Sequence, residues 1–170
     1  MRHIRLFETF SSGEENQLKT AMESAMSNPS DSKPILVSSS PGVGSTAMIG
    51  EIATDMGVSM IYIDCGISNI EDFILPRISD GKKSMSYSTD LPNDNGYNGK
   101  GGVIVFDEVN RADNQLLSMI MKMATTRQYK EYTLPDGWVI VLVTKSVSGD
   151  SVMGSALIDK FTYVDLGLMQ

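Results

Sequence analysis

The chain has 170 residues and a mass of 18.5 kDa, enough for one domain with a buried core. Its hydrophobic content of 41% and charged content of 21% are globular values, and its net charge of −7 argues against a general affinity for nucleic-acid backbones or anionic membranes. Cys65 is the single cysteine and His3 the single histidine, so an intrachain disulfide is excluded and a Cys/His metal site is poorly supported. No apolar run reaches the ~20 residues of a membrane span, and "MRHIRLFETF" is too short in its apolar part for a secretory signal. These features predict a cytoplasmic protein.

In chain order, Ser12-Gly13-Glu14-Glu15 has the form of a capping box, and Leu18, Ala21, Met22, Ala25 and Met26 follow at helical spacing. "ILVSS" from Ile35 predicts a short buried strand that runs into "SSSPGVGST". Met48, Ile49, Ile52, Ala53 and Met56 predict a helix from Thr46 to Met56, closed by Gly57, and "SMIYIDC" a second strand. "SNIEDFILPRI" predicts a short helix capped by Ser68 or Asn69. The polar segment from Ser79 to Gly102 predicts an irregular, functional or mobile loop.

"VIVFDE" is a third strand, apolar until it ends in two carboxylates. "RADNQLLSMIMKMATTRQ" predicts a helix with Leu116, Leu117, Ile120 and Met123 on its inner face. Pro135-Asp136-Gly137 marks a hairpin, "WVIVLVT" a fourth strand, "GDSVMGSALIDKF" a short helix and "TYVDLGL" a fifth strand. The twelve methionines fall mostly at core-like spacings, where the flexible thioether side chain serves as packing. Unbroken Val/Ile/Leu strands alternating with helices predict a doubly wound α/β domain with a parallel sheet.

In such sheets ligands bind beyond the carboxyl ends of the strands. "SSSPGVGST" follows the phosphate-loop spacing G-x-x-x-x-G-K-[ST] with two changes: Ser39 stands for the first Gly and Ser45 for the Lys. In the turn Pro41-Gly42-Val43-Gly44-Ser45-Thr46, the candidate phosphate-binding segment, Gly42 and Gly44 would let backbone N–H groups approach a phosphate ahead of a helix N-terminus. Thr46 keeps the hydroxyl that ligates Mg²⁺, and Asp107 at the end of the third strand is the matching carboxylate. Glu108 follows in the place of a water-orienting base. The blander alternatives are an ordinary strand-to-helix turn and a solvated helix cap at Asp107 and Glu108.

The stretch "GGVIVFDEVNRADNQLLSMIMKMATTRQYKEYTLPDGWVIVLVT", with Asn110-Arg111-Ala112 after the acidic strand end, resembles the MoxR-like branch of the AAA+ ATPases. The upstream "DFILPRI", "DLP" and "GKGG" fit the same group, and the resemblance covers about residues 33–166. It implies a P-loop three-layer sandwich with a five-stranded, mainly parallel sheet, preceded by an N-terminal extension and helix over residues 1–30. It also implies ATP and Mg²⁺ as ligands, and a homo-oligomer or a partner protein in a remodelling role.

Within that resemblance the Walker A lysine is Ser45, Lys145 occupies the sensor 1 position, and Lys160 in "ALIDKF" occupies the arginine-finger position. The helical lid is expected to be absent, and the small size and altered motifs suit a phage or mobile-element gene. The resemblance therefore implies either a reduced ATPase of low turnover or a pseudo-ATPase binding module. Lys145 would either replace the lost Walker A charge or pair with Asp107 or Glu108. Tyr87 or Tyr97, flanked by Lys82, Lys83 and Lys100, would serve as a pore-loop aromatic or lie on a solvated surface loop.

Overall fold

A computed structural model describes residues 12–93, 101–145 and 159–167. Helix α1 (Ser12–Ser27) leads into β1 (Ile35–Ser39), α2 (Ser45–Asp55) and β2 (Ser59–Asp64). A 3-10 turn at Ile70–Asp72 precedes two strands, β3 (Ile74–Ser79) and β4 (Lys82–Tyr87). Then come β5 (Gly102–Asp107), a 3-10 turn at Val109–Arg111, α3 (Asn114–Thr126), the short strands β6 (Gln128–Tyr129) and β7 (Tyr132–Thr133), β8 (Trp138–Lys145) and β9 (Thr162–Leu166).

Five strands form one parallel sheet in the order β2-β5-β8-β1-β9, as the unbroken apolar runs predict. The two faces differ in side-chain size. Val103, Val105, Val139, Val141 and Val143 face α1 and α2, packing against Leu18, Met22, Met48, Ile49 and Ile52. Ile104, Phe106, Ile140 and Leu142 face the opposite way, onto Leu116, Met119, Ile120 and Met123 of α3. Strand alternation sorts the smaller Val residues to the two-helix side and the larger residues to the one-helix side. The buried methionines Met22, Met48, Met119 and Met123 are packing residues, as their spacing predicts.

Four expectations need correction. "SNIEDFILPRI" is helical only as the 3-10 turn at Ile70–Asp72; from Ile74 it is a strand, paired antiparallel with β4 from Ile74↔Tyr87 to Ser79↔Lys82. The hairpin tip is Asp80-Gly81, both at positive φ (52° and 72°), the conformation that suits right-twisted strands. The first part of the supposed irregular loop is thus ordered strand, and Pro76 is tolerated because this hairpin is a separate two-stranded unit. Helix α3 also starts later than expected, because Asp113 caps it by accepting from the Gln115 and Leu116 N–H groups at 2.9 and 2.8 Å. Met119, not Leu117, fills its inner face.

The predicted helix "GDSVMGSALIDKF" falls outside the described residues except for its last positions, and residues 94–100, with Tyr97 and Lys100, fall outside as well. Among the described residues no helix is long and apolar enough to cross a membrane.

The entry to β5 is the tightest backbone contact near the core. A Cβ on Gly101, at φ +69°, would stand 2.1 Å from the Gly137 carbonyl oxygen, and one on Gly102 would stand 2.3 Å from the Ser59 carbonyl oxygen. Both obstacles are backbone and cannot rotate away. Gly101→Ala and Gly102→Ala are each expected to cost at least about 2 kcal/mol, measured by chemical denaturation, whereas Gly57→Ala, with open space around it, carries only its positive-φ penalty.

Candidate functional site

The carboxyl ends of β1, β2, β5 and β8 bring the predicted residues to one edge of the sheet. After Ser39 the chain turns through Ser40, where the Val43 N–H donates to the Ser40 carbonyl at 3.3 Å, and reaches Gly44 at φ 77°. Gly42 also has a positive φ, 83°, and no atom lies within 4 Å of where its Cβ would be. Gly44 is the N-cap of α2 and makes no side-chain cap hydrogen bond, so no N-cap side chain competes for the first-turn N–H groups of that helix. Pro41 is exposed and Val43 packs on the α1/α2 core.

The two departures from the phosphate-loop spacing touch one another. The Ser39 and Ser45 hydroxyls lie 3.1 Å apart, both residues buried. Where a lysine would reach outward, Ser45 turns inward and satisfies the residue that replaced the first glycine.

Thr46, one position later, donates from Oγ1 to Asp107 Oδ2 at 2.7 Å. Tyr62 of β2 donates to the same oxygen at 3.2 Å, and the Glu108 N–H donates to Oδ1 at 2.8 Å. Burial, with Asp107 next in effect, pushes the Tyr62 phenol up to about 12, so it stays a proton donor at ordinary pH. Asp107 is buried and Glu108 sits at φ 53°. Glu108 is the N-cap position of the 3-10 turn at Val109–Arg111 but makes no side-chain cap hydrogen bond there, and α3 is capped by Asp113. Thr46 and Asp107 bring together a hydroxyl and a carboxylate, a donor set that suits a hard cation such as Mg²⁺.

Glu108 is held on both oxygens. Lys145 Nζ donates to Oε1, and Arg111 Nη1 donates to Oε2 at 2.7 Å. Of the two sequence alternatives for Lys145, the ion pair is the one formed here, with Glu108 and not Asp107. Asn110 fixes the backbone beneath it by accepting the Lys145 N–H at 3.3 Å. Gly66 leaves room for the cluster: a Cβ there would meet Glu108 Oε2 at 3.0 Å, Asp64 Oδ1 at 3.1 Å and Arg111 Cζ at 3.3 Å. The carboxylates Asp64, Asp107 and Glu108, with burial as the larger cause, also push the Cys65 thiol up to about 12, which makes it an inert core thiol.

Lys160 is not part of this cluster. It is exposed beside the outward face of α3, in a shallow groove with Leu117, Met121 and Thr125. Tyr87 does not project either: its hydroxyl donates to Glu131 Oε2 at 2.8 Å and accepts the Glu131 N–H at 3.0 Å, and its ring lies 5.5 Å from that of Tyr132. The exposed hairpin-tip residues include Lys82, Lys83 and Ile78.

Sequence reasoning gave no role to Tyr62 and Arg127, and used Arg111 only within the Asn110-Arg111-Ala112 motif, without its pairing to Glu108. The spacing of Arg111 from Glu108, i to i+3, was a usable signal. Arg127 ends α3 in the left-handed region, at φ 60°, and its guanidinium donates to the carbonyls of Pro29, Trp138 and Pro135, each at 3.0 Å. It is a structural clasp that nothing in the local sequence marks.

The fold matches known structures. A candidate ATPase from Cytophaga hutchinsonii superimposes with a TM-score of 0.56 at 15% identity, covering 93% of this chain and 52% of that one. Two variants of Thermotoga maritima RuvB give TM-scores of 0.62 and 0.59 at 17% and 16% identity, covering 92% and 98% of this chain. The chain spans about half the length of the solved structures it matches, at 46% to 52%. No family profile and no curated protein matches the sequence. The fold is that of the P-loop NTPases, of the AAA+ type. The likeness is one of fold, and the resemblance found in the sequence holds at that level.

Two outcomes follow from the geometry. Glu108 is held below the ordinary glutamate range by the hydrogen bond from Lys145 first and Arg111 second, and Lys145 is raised, chiefly by Glu108. A depressed carboxylate stabilises fully above its unfolded-state value and loses that contribution as pH falls through the folded value. A raised lysine loses its contribution as pH rises through its folded value. The pair is therefore intact across neutral pH. Glu108→Gln is expected to reduce the acid-side fall in melting temperature, followed by thermal scans against pH.

The serine pair gives the second. Ser39→Ala or Ser45→Ala alone leaves one buried hydroxyl unpartnered and is expected to cost about 1 kcal/mol, whereas the double variant is close to neutral. A denaturation double-mutant cycle measures that coupling.

Proposed function

We propose that the chain is a MoxR-like AAA+ protein that binds ATP and Mg²⁺ and hydrolyses ATP weakly or not at all, acting in an oligomer or with a partner in a remodelling role. The observation that carries this is the 2.7 Å hydrogen bond between Thr46 and Asp107, which joins two residues far apart in sequence beside the Gly42/Gly44 turn. The backbone of Gly42 to Ser45 and the first turn of α2 would hold phosphates, and Thr46 and Asp107 would hold the metal, which neutralises phosphate charge when bound. Glu108 would orient water once released from its cations. With Ser45 uncharged, stabilisation of the transition state is weakened, which favours low turnover. Lys160, exposed and outside this chain's own site, would serve a neighbouring subunit, though without the fork geometry of Arg.

A second reading, a pseudo-ATPase module that joins or blocks a partner assembly, is favoured by the double pairing of Glu108. Its carboxylate is satisfied with no ligand present. Calorimetry with ATP and Mg²⁺, followed by phosphate-release assays, separates the two. The first reading expects measurable binding that Asp107→Asn weakens roughly tenfold or more in Mg²⁺ and leaves unchanged in EDTA. Absence of heat at millimolar ATP would leave the second reading standing.

A further inference from the structure

The buried carboxylate of Asp107 accepts three hydrogen bonds from the described residues, and the three donors are not equivalent. Oδ1 takes the Glu108 N–H at 2.8 Å, a backbone donor that cannot rotate away. Oδ2 takes two hydroxyls, Thr46 at 2.7 Å and Tyr62 at 3.2 Å, which together engage its lone pairs. Tyr62 makes the longest of these bonds and is 48% exposed, on the edge strand β2. Asp64 is the register partner of Asp107, so Tyr62 reaches the carboxylate from the neighbouring strand, on the same side of the sheet. Among the described residues Asp107 is the only hydrogen-bond partner of the Tyr62 hydroxyl. A turn of the side chain would pass that hydroxyl to water and leave no buried group unsatisfied.

We propose that Tyr62 is a removable competitor for the cation: its hydroxyl fills the Oδ2 lone pair that a divalent cation needs, and it turns out to solvent when the cation binds. This rests on the reading of Thr46 and Asp107 as the cation-holding pair, and adds a control to it. A hard cation takes carboxylate oxygen directly or through a water it carries, and either contact needs an open lone pair. Thr46 can keep its donation to Oδ2 and still offer a lone pair of its own, because a hydroxyl is both donor and acceptor. The Tyr62 phenol keeps its proton at ordinary pH, so it acts on the carboxylate as a donor and is a poor ligand itself. Orientation of Asp107 does not require it, since Thr46 and the Glu108 N–H already hold one oxygen each. Cation affinity is thereby set below what Thr46 and Asp107 would give alone.

Calorimetry of the whole chain with a non-hydrolysable ATP analogue, once in Mg²⁺ and once in EDTA, tests this without any turnover readout. Tyr62→Phe keeps the ring and deletes the competing hydroxyl. It is expected to bind the analogue roughly three- to tenfold tighter than the wild type in Mg²⁺, the range of one net hydrogen bond, and equally in EDTA. In an Asp107→Asn background the same change is expected to have no effect in Mg²⁺. Fluorine NMR of the fluorotyrosine-labelled chain follows the motion itself. The signal missing from Tyr62→Phe is expected to shift when the analogue is added with Mg²⁺ and to stay in place in EDTA. Thermal melts establish that each variant is folded. Equal or weaker binding by Tyr62→Phe in Mg²⁺ would overturn the inference, while the wild type's own gain from Mg²⁺ would keep the cation reading standing. Binding of the analogue by neither protein would overturn that reading and this inference with it.

Discussion

Everything at the site depends on β8 lying between β1 and β5. The strand that delivers the glycine turn and the strand that delivers Asp107 and Glu108 do not pair with each other; each pairs with β8. Whatever residue ends β8 is therefore placed between the glycine turn and the acidic pair, and here that residue is Lys145. The parallel register makes this placement rigid, because a one-residue slip of β8 would send its whole Val set to the opposite face. The difference in side-chain size between the two faces thus does more than fill the core. It fixes which side chains arrive at the strand ends and at what height.

That placement explains why the acidic end of β5 can exist at all. Asp64, Asp107 and Glu108 converge within a few residues, and carboxylates this close repel one another strongly where water is partly excluded. The chain meets the problem with donors from four separate elements: Thr46 from α2, Tyr62 from β2, Arg111 from the turn after β5 and Lys145 from β8. Among the described residues no buried side-chain polar atom lacks a partner. A site satisfied in this way is stable without a ligand, and any ligand must compete with internal partners instead of filling unmet demand. The same network that stabilises the strand ends sets the threshold for binding.

The sheet was legible in the sequence because its strands are buried on both sides, which leaves continuous Val/Ile/Leu runs that few other structures require. The carboxylates at the end of "VIVFDE" and the glycine turn were legible for a related reason: their positions at strand ends follow once the strands are assigned. The β3–β4 hairpin was not recovered. Its inner face is carried by Ile74, Met85 and Tyr87 over a short span, and Asn69 with Asp72 gives a real capping signal just ahead of it. That signal caps only a single 3-10 turn, while the stronger clue, Asp80-Gly81 between two short runs, lay in a stretch whose polarity suggests a loop. Tyr62 and Arg127 were invisible for a different reason. Each acts on groups distant in sequence, and nothing local distinguishes a strand tyrosine or a helix-end arginine with such a partner from one without.

The two serines and Lys145 are best understood together. Taken one at a time, Ser39 and Ser45 read as losses from a phosphate loop, and Lys145 as an odd residue at the end of an apolar strand. The structure ties them into one arrangement, since Ser39 is bonded to Ser45 and lies in register with Lys145. A positive charge absent from the turn is present one strand over, at nearly the same height along the sheet. The exchange is not neutral, because a charge in the turn is committed to phosphate, whereas a charge at the end of β8 faces Glu108 as well. Moving the lysine by one strand therefore changes its competitor, and with it the condition under which the charge becomes available to a ligand.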